Sequence, residues 1–151
     1  MRVRDLLTQR QRPVVTITGE KSILDAMKLL TDQKIGALIV VDDSGDTIGI
    51  LTERDIFRLA YKHKGQFMDM KVRDQMTREL IIGLPDDDVD YIAEVITQRR
   101  VRHIPIMDRD KKLCGIVSIG DIVKAQLTMA EVHVRYLTEY ITGRARTDAE
   151  K

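Results

Sequence analysis

The chain contains an internal repeat, and this repeat restricts the fold more than any other feature of the sequence. Shifting the sequence by 66 positions places residues 15–59 on residues 81–125 without a gap. A short lead-in also repeats, since residues 3–5 and 72–74 both read Val-Arg-Asp, but its offset is 69 positions. The second copy is therefore three residues shorter after its lead-in. We assign this difference to a loop, where changes in length are tolerated.

Each copy predicts the order strand, helix, strand, strand, helix. Apolar residues follow helical spacing at residues 23–30 and again at residues 89–96. Ser22 and Asp88 come directly before these helices and are suitable N-caps. Two short apolar strands then follow in each copy, and Asp-containing turns between them predict hairpins.

The two copies are expected to share one core, because about 50 residues are marginal for independent stability. The predicted fold class is α/β (α+β), with two β-α-β-β-α repeats related by a pseudo-twofold axis and a C-terminal helix. We place the lead-in and the first repeat at residues 1–66 and the second repeat at residues 67–127. A C-terminal helix and a polar tail then occupy residues 128–151.

Composition argues against several other classes of protein. The 151 residues include 25 Lys and Arg and 24 Asp and Glu, so no strong field attracts nucleic acid or a membrane surface. No apolar run is long enough to span a membrane, and the first residues do not resemble a signal peptide. The single cysteine, Cys114, cannot form an internal disulfide, which favours a reducing, cytoplasmic location. No metal-ligand spacing or catalytic motif is found, so we predict that the protein is not an enzyme.

The pattern G-x-x-S/T-x-x-D occurs twice, at residues 49–55 and 115–121. Thr52 with Asp55, and Ser118 with Asp121, flank the first turn of a predicted helix in each copy. In one interpretation the pair is a capping box that satisfies backbone N–H groups. In the other, the helix N-terminus attracts an anion and the Asp accepts hydrogen bonds from both hydroxyls of a ribose. The two interpretations are compatible, because they use different atoms of the same turn.

Residues 1–127 resemble a tandem pair of cystathionine-β-synthase (CBS) domains, also called a Bateman module. The resemblance rests on the duplicated motif, the duplicated order of elements and the run Arg-His-Ile-Pro-Ile at residues 102–106. It implies a non-catalytic regulatory module that binds adenine nucleotides in clefts between the repeats and requires no cofactor. AMP is the expected ligand, with ADP and ATP as alternatives.

In this family the hydroxyl and the Asp of one repeat hold ribose and phosphate, and the first strand of the other repeat contributes to the adenine pocket. The resemblance therefore implies a first cleft, here the Asp121 cleft, with ribose on Ser118 and Asp121. Its other residues would be the adenine-side residues Thr16, Ile17 and Thr18, the wall residues Ile104 and Pro105, and the phosphate-side residues Arg102 and His103.

The second implied cleft, here the Asp55 cleft, uses Thr52 and Asp55, with Ile81, Ile82 and Gly83 on the adenine side. The positions that match Arg102 and His103 are Gly36 and Ala37, which carry no charge, so Arg54 is the candidate cation. We therefore expect the Asp121 cleft to bind more tightly. From the residue types alone, Arg102 and His103 could also have a purely structural role. We assign Arg99 and Arg100 to the end of a helix, where they offset its dipole.

The residues after the second repeat form a helical seam with 3-4-3-4 spacing at Leu127, Ala130, Val134, Leu137 and Ile141. Gly143 is expected to end this helix. The seam either packs back on the repeats or pairs with the same helix of a second chain. Because Bateman modules commonly pair as discs, the resemblance implies a homodimer, with a regulated partner that the sequence does not identify.

Other functions remain open at this stage. Another adenosine compound, such as NAD(H) or S-adenosylmethionine, satisfies the same ribose-binding carboxylates. A ligand-free dimeric interaction scaffold, in which Asp55 and Asp121 only cap helices, is the structural alternative. Nucleic-acid binding ranks last, because four scattered Tyr residues form no stacking platform.

Overall fold

The structure, a computed structural model, describes residues 1–143. Within this range the helices are α1 (Val3–Arg10), α2 (Ile23–Gln33), α3 (Glu53–His63), α4 (Val72–Gln75), α5 (Val89–Arg99) and α6 (Ile119–Ile141). The strands are β1 (Thr16–Thr18), β2 (Ala37–Val41), β3 (Thr47–Thr52), β4 (His103–Met107) and β5 (Leu113–Ser118). Within the described range, none of the helices is both long and apolar enough to cross a membrane.

Each repeat contains an antiparallel hairpin closed by an Asp-containing turn. Strand β2 pairs with β3, and β4 pairs with β5, both in antiparallel register. The carboxylate of Asp42 accepts hydrogen bonds from two backbone N–H groups of its turn, at 3.0 and 2.9 Å. Asp108 does the same in the second repeat, at 2.9 and 2.9 Å. These side chains fix the predicted hairpins by replacing missing backbone partners in the turns.

The first strand of each predicted repeat differs between the two copies. Strand β1 pairs in parallel with β2. In the second copy, only Gly83 makes a parallel bridge, to Ile106. Pro85 follows two residues later, and its missing N–H prevents the strand from continuing. The predicted fold class is confirmed, with the first strand of the second repeat reduced to a single bridge.

The lead-in helices exchange places between the repeats. Helix α1 precedes the first repeat, yet its Val3 and Leu6 are buried in the core of the second repeat. Helix α4 precedes the second repeat, and Val72 and Met76 are buried in the core of the first. Each repeat therefore completes its hydrophobic core with a helix that belongs, in chain order, to the other repeat.

Backbone hydrogen bonds fix this exchange symmetrically. The N–H of Val3 donates to the carbonyl of Asp87 at 3.0 Å, and the N–H of Val72 donates to the carbonyl of Lys21 at 2.9 Å. Asp87 and Lys21 are equivalent positions of the two repeats. The pseudo-twofold axis predicted from the repeat thus relates individual hydrogen bonds as well as elements.

A third apolar cluster joins the two repeats. Ala37, Ile39 and Ile50 of the first sheet are buried against half-buried Leu113 and Ile116 of the second hairpin. The two sheets therefore face each other across the pseudo-twofold axis, and the repeats share a core as predicted.

The difference in length between the lead-ins lies in a helix, which corrects the expectation of a loop. Helix α1 has 8 residues and α4 has 4. The additional turn of α1 carries Leu7 and Arg10 across the second hairpin. After the shorter α4, the chain instead forms a bridge in which Thr77 and Ile50 exchange backbone hydrogen bonds of 2.9 and 3.0 Å.

Helix α6 begins inside the second repeat and continues without a break to Ile141, two residues before Gly143. The boundary that we placed after residue 127 therefore falls within one helix. Only Ile122 and Ala125 of α6 are buried. The seam from Leu127 to Ile141 is exposed and does not pack on the described part of the chain. The predicted polar tail at residues 144–151 lies outside the described residues.

The exchange of lead-in helices predicts that a core substitution acts on the distant repeat. Leu6→Ala should destabilise the chain by roughly 2–5 kcal/mol and increase amide hydrogen exchange most in β4 and β5, which α1 covers. Met76→Ala should increase exchange most in β2 and β3. Hydrogen exchange under native conditions measures both variants. Larger effects of Leu6→Ala on the first repeat than on the second would contradict the exchange.

Candidate functional site

Two clefts lie between the repeats at pseudo-equivalent positions, but their sizes differ. The Asp55 cleft has a volume of about 580 Å³, and the Asp121 cleft has a volume of about 140 Å³. Pockets that bind small organic ligands usually measure roughly 300–1,000 Å³. The Asp55 cleft therefore has room for a nucleoside, and the Asp121 cleft as it stands does not.

Each repeated motif forms a capping box at the start of its helix. The backbone N–H and the hydroxyl of Thr52 donate to Asp55 Oδ2 at 2.9 and 3.0 Å, and Asp55 N–H donates to Thr52 Oγ1 at 3.3 Å. The matching distances for Ser118 and Asp121 are 2.8, 2.9 and 3.2 Å. Within residues 1–143, these bonds use only Oδ2 of each carboxylate. The cap thus leaves Oδ1 available to a ligand, so both interpretations of the motif fit the geometry.

The glycine that opens each motif allows the exchanged lead-in to cross the hairpin. A Cβ on Gly49 would lie 2.9 Å from the carbonyl oxygen of Thr77, and a Cβ on Gly115 would lie 2.8 Å from Leu7. Real Cβ atoms do not approach other heavy atoms this closely, so a larger residue at Gly49 would push the lead-in outward, and one at Gly115 would displace the side chain of Leu7. The motif therefore couples the position of the lead-in to the position of the cap.

The Asp55 cleft combines an apolar wall, one capping pair and a set of cations. The apolar residues are Ile50, Leu80, Ile81, Val101 and Pro105. The cationic side chains are Arg54, Arg58, Arg99, Arg100 and Arg102, and the acidic ones are Glu53, Asp55 and Glu79. The guanidinium of Arg54 also donates to the carbonyl of Arg100 at 3.4 Å, which joins α3 to the end of α5. This lining attracts an anionic ligand that carries an apolar or aromatic group.

The structure distributes the predicted cations differently from the sequence-based assignment. Arg102, which we assigned to the Asp121 cleft, lines the Asp55 cleft, and His103 lines both. A Cβ on Gly36 would lie 3.1 Å from the His103 ring, so these two residues meet between the clefts. Gly36, directly before β2, thus meets His103, the first residue of β4, and residues at this point can face either cleft. Sequence alignment alone does not determine which cleft it faces.

Of the predicted adenine-side residues, Ile81 lines the Asp55 cleft and the others line neither cleft. Ile17 is buried in the first core, Ile82 is exposed, and neither borders a cleft, nor do Thr16 and Thr18. The segments that line the clefts are residues 13–15 and 79–81, which directly precede the first strand position of each repeat. The chain crosses each cleft before it enters the sheet, because the strand itself must direct its apolar residue into the core.

The other predicted residues divide between the core and the clefts. Ile104 is fully buried in the second core and is closed to a ligand. Pro105, Thr52, Arg54 and Asp55 line the Asp55 cleft. The residues along the Asp121 cleft include Ala37, Ser118 and Asp121, and Gly36 borders both clefts.

Sequence reasoning missed several cations of the clefts. Arg99 and Arg100 were assigned to the dipole of α5, but the end of that helix opens at the Asp55 cleft. Arg58 follows Arg54 by one helical turn, and that spacing was a signal that both face the same side. Arg10 gave no such signal, because its position depends on the exchange of the lead-in helices.

Arg10 lies in the Asp121 cleft. Its Nη1 donates to Asp121 Oδ2 at 2.9 Å and also donates to the carbonyl of Ile116. The side chains of Arg10 and Asp121 are 19% and 21% exposed, so the ion pair is largely shielded from water. The Nε of Arg10 is buried and has no hydrogen-bond partner within the described residues.

His103 is held neutral near physiological pH. Burial lowers the pKa of its imidazole below the ordinary value of 6.5. The carboxylates of Glu53 and Asp121 oppose this shift, while the positive charges of Arg10 and Arg102 add to it. A neutral imidazole provides one donor and one acceptor at the boundary between the clefts.

Comparison with known proteins identifies the repeats. The family model described as CBS domain matches residues 3–62 and 70–128. The chain is 36% identical over 130 residues to the CBS domain-containing protein CBSX3, mitochondrial, of Arabidopsis thaliana, covering 83% of this chain and 63% of that protein. It is 29% identical over 113 residues to the inosine-5'-monophosphate dehydrogenase of Methanocaldococcus jannaschii, covering 75% of this chain and 22% of that protein. The chain thus spans less than two thirds of either relative.

Solved structures show the same fold. The CBS-domain containing protein ATU1752 from Agrobacterium tumefaciens superposes with a TM-score of 0.80 and 36% identity, covering 83% of this chain and 92% of that chain. The CBS domain pair of protein MJ0100, in complex with 5'-methylthioadenosine and S-adenosyl-L-methionine, superposes with a TM-score of 0.76 and 28% identity. The match covers 85% of this chain and 98% of that chain. CBSX2 in complex with AMP superposes with a TM-score of 0.71 and 26% identity, and the match covers 85% of this chain and 98% of that chain.

The lowered pKa of His103 predicts a pH-dependent stability. The unfolded chain takes up the imidazole proton at a higher pH than the folded chain, so the free energy of unfolding should fall as pH decreases below about 6.5. His103→Gln should reduce this decrease in urea unfolding measured between about pH 7 and pH 5. The exposed His133→Gln variant is the control. An unchanged pH dependence in His103→Gln would contradict the assignment.

Proposed function

The chain belongs to the CBS-domain family and contains two CBS domains, and from this premise we propose that it is a regulatory, non-catalytic module that binds an adenine nucleotide in the Asp55 cleft. The proposed ligand is AMP, with ADP and ATP as alternatives. The observation that carries the proposal is that one cleft of about 580 Å³ combines a carboxylate at a helix N-terminus, an apolar wall and five arginines.

The carboxylate end of the cleft fits a ribose. Asp55 Oδ2 is used by the cap, and Oδ1 would accept hydrogen bonds from the vicinal hydroxyls of the sugar. Leu80, Ile81 and Pro105, which belong to the second repeat, offer an apolar surface to a base. The two sides come from different repeats, so the ligand would hold the repeats together.

The arginines favour a phosphate over other groups attached to adenosine. Arg54 and Arg58 of α3 reach the same cleft as Arg102, which directly precedes β4, and a phosphate would be bound by charge-assisted hydrogen bonds. The sulfonium cation of S-adenosylmethionine would be repelled by this surface. The complex of MJ0100 with that ligand keeps it among the alternatives, and the complex of CBSX2 with AMP supports the nucleotide.

This proposal reverses the ranking of the clefts that the sequence suggested. The ranking depended on Arg102 facing the Asp121 cleft, and Arg102 instead lines the Asp55 cleft. The scaffold alternative, in which the motifs only cap helices, is supported by the capping boxes but gives no reason for the arginine-rich lining.

We also propose a cytoplasmic location, which rests on Cys114 being the single cysteine of the chain. The Arabidopsis relative is named as mitochondrial, another compartment in which a lone thiol is compatible with function. No regulated partner is proposed by name.

A homodimer through α6 completes the proposal. Leu127, Val134, Leu137 and Ile141 are 60%, 63%, 44% and 80% exposed, and they lie on one side of the helix. Of the two alternatives for this seam, packing on the repeats is not found in the described part of the chain. We therefore propose that α6 pairs with α6 of a second chain, and that nucleotide binding alters how this dimer meets a partner.

The cap and ligand roles of Asp55 can be separated by comparison with Asp25. Asp25 forms a capping box with Ser22 at 3.1 and 3.2 Å but borders neither cleft. Asp55→Ala and Asp25→Ala should each lose about 1 kcal/mol of stability from the lost cap. Only Asp55→Ala should also weaken AMP binding, by at least about tenfold or 1.4 kcal/mol. Calorimetric titration and urea unfolding measure the two effects.

For the parent chain, AMP at about 100 times its Kd should add roughly 2.7 kcal/mol to the free energy of unfolding. Adenosine and S-adenosylmethionine should stabilise the chain less at equal concentration. Equal AMP affinity in Asp55→Ala and the parent would remove Asp55 from the site. No stabilisation by any adenosine compound would leave the scaffold alternative.

The dimer is tested with two valines of equal exposure. Val134 and Val132 are both 63% exposed, but only Val134 lies on the seam. Val134→Glu should shift the chain from dimer to monomer in analytical ultracentrifugation, because it introduces a charge into the paired helices. Val132→Glu should remain dimeric. A monomeric parent, or equal behaviour of the two variants, would contradict pairing through this seam.

A further inference from the structure

We propose that Arg10 occupies the Asp121 cleft in place of a ligand, so that each chain binds one nucleotide rather than two. The identity of the nucleotide rests on the function proposed above for the Asp55 cleft. The occupation of the second cleft rests on separate observations, namely the contacts of Arg10, the size of the cleft and the difference between the lead-ins.

The contacts place the guanidinium of Arg10 on the group that a ribose would need. Asp121 Oδ2 already accepts from the N–H and hydroxyl of Ser118, and Arg10 Nη1 adds a third donor at 2.9 Å. The second contact of Nη1, with the carbonyl of Ile116, holds the side chain across the cleft. Charge-assisted hydrogen bonds that are shielded from water are among the stronger polar contacts in proteins. Arg10 therefore neutralises Asp121 and lies among the residues that line the cleft, where a ribose on Oδ1 of Asp121 would have to fit.

The volumes of the clefts agree with this occupation. The Asp121 cleft, with Arg10 among its lining residues, keeps about 140 Å³, against about 580 Å³ for the Asp55 cleft. Both motifs form the same capping box, so the difference does not come from the motif itself. The described residues place no guanidinium on Asp55 that corresponds to Arg10 on Asp121.

The cause lies in the length of the lead-ins. Arg10 is the last residue of the extra turn of α1, and α4 ends before this position. At the offset of the lead-ins, the position that matches Arg10 is Glu79, an exposed residue of opposite charge. The carbonyl of Ile50, which matches that of Ile116, accepts a hydrogen bond from the backbone N–H of Thr77 at 2.9 Å instead of one from an arginine. Three additional residues and one change of charge therefore make the two clefts unequal.

The buried Nε of Arg10 supports a role in the cleft over a role in the helix. An arginine that only offsets a helix dipole can keep its guanidinium in water. Arg10 instead holds Nε away from solvent without a partner within residues 1–143. Leaving a donor unpaired is unfavourable, and the ion pair with Asp121 is the contact that compensates for it.

The experiment counts nucleotides per chain by calorimetric titration with AMP. The parent should bind one AMP, and Arg10→Ala should bind two, because alanine is compatible with α1 and empties the cleft. The double variant Arg10→Ala/Asp121→Ala should again bind one AMP per chain. Arg4→Ala is the matched control, since it removes an arginine from the same helix, at a position that pairs with Asp86 outside the clefts, and should bind one.

The outcomes distinguish this inference from the proposed function. A parent that binds two AMP molecules, or a folded Arg10→Ala that binds one AMP as the parent does, overturns the role of Arg10 and leaves the Asp55 site intact. A parent that binds none, with an Arg10→Ala variant that binds one through Asp121, overturns the Asp55 site and supports Arg10. If neither the parent nor the Arg10→Ala variant binds AMP, the Asp55 site and the role of Arg10 are both overturned.

A second measurement does not depend on the folding of any variant. A crystal structure of the parent grown with saturating AMP should show nucleotide in the Asp55 cleft and an intact pair between Arg10 and Asp121. Nucleotide density beside Asp121, with Arg10 displaced, overturns the inference.

Discussion

The exchange of the two lead-in helices is the constraint on which the rest of the structure depends. Val3 and Val72 are each fully buried in the core of the repeat that is distant in chain order. Neither repeat can bury its own hydrophobic face without the other, so the two copies must fold as one unit. The same exchange leads a chain segment across each hairpin, where Gly49 and Gly115 leave room for it. The clefts exist because these segments lie between the repeats.

Duplication provides two equivalent sites, and small differences make them unequal. The capping boxes of Thr52 and Ser118 are superimposable in their hydrogen bonds, so the repeated motif alone would give two similar sites. The lead-in of the first copy is longer by about one helical turn and ends in Arg10. Because that turn reaches across the pseudo-twofold axis, a change before the first repeat alters the cleft of the second. A duplicated fold can in this way keep one site open and close the other without changing either motif.

Stability and ligand binding use the same residues in this fold. Asp55 holds the first turn of α3 with Oδ2 and faces the cleft, so any substitution affects the helix and the site together. The same applies to Asp121, which in addition neutralises Arg10. His103, between the clefts, responds to charges on both sides. A charged ligand in one cleft would therefore act electrostatically on His103, which also borders the other cleft.

The sequence by itself determined the duplication, the order of elements, the N-caps, the hairpins and the repeated capping motif, because these depend on local spacing and on apolar periodicity. It did not determine which cleft each cation faces, as Arg102 shows, or that the segments before the first strands line the clefts in place of Thr16 and Ile82. It also did not reveal the contact between Arg10 and Asp121. These features depend on how the two repeats are placed around the pseudo-twofold axis, where residues distant in the chain meet. That placement is set by long-range packing of the exchanged helices, and only the tertiary structure decides it.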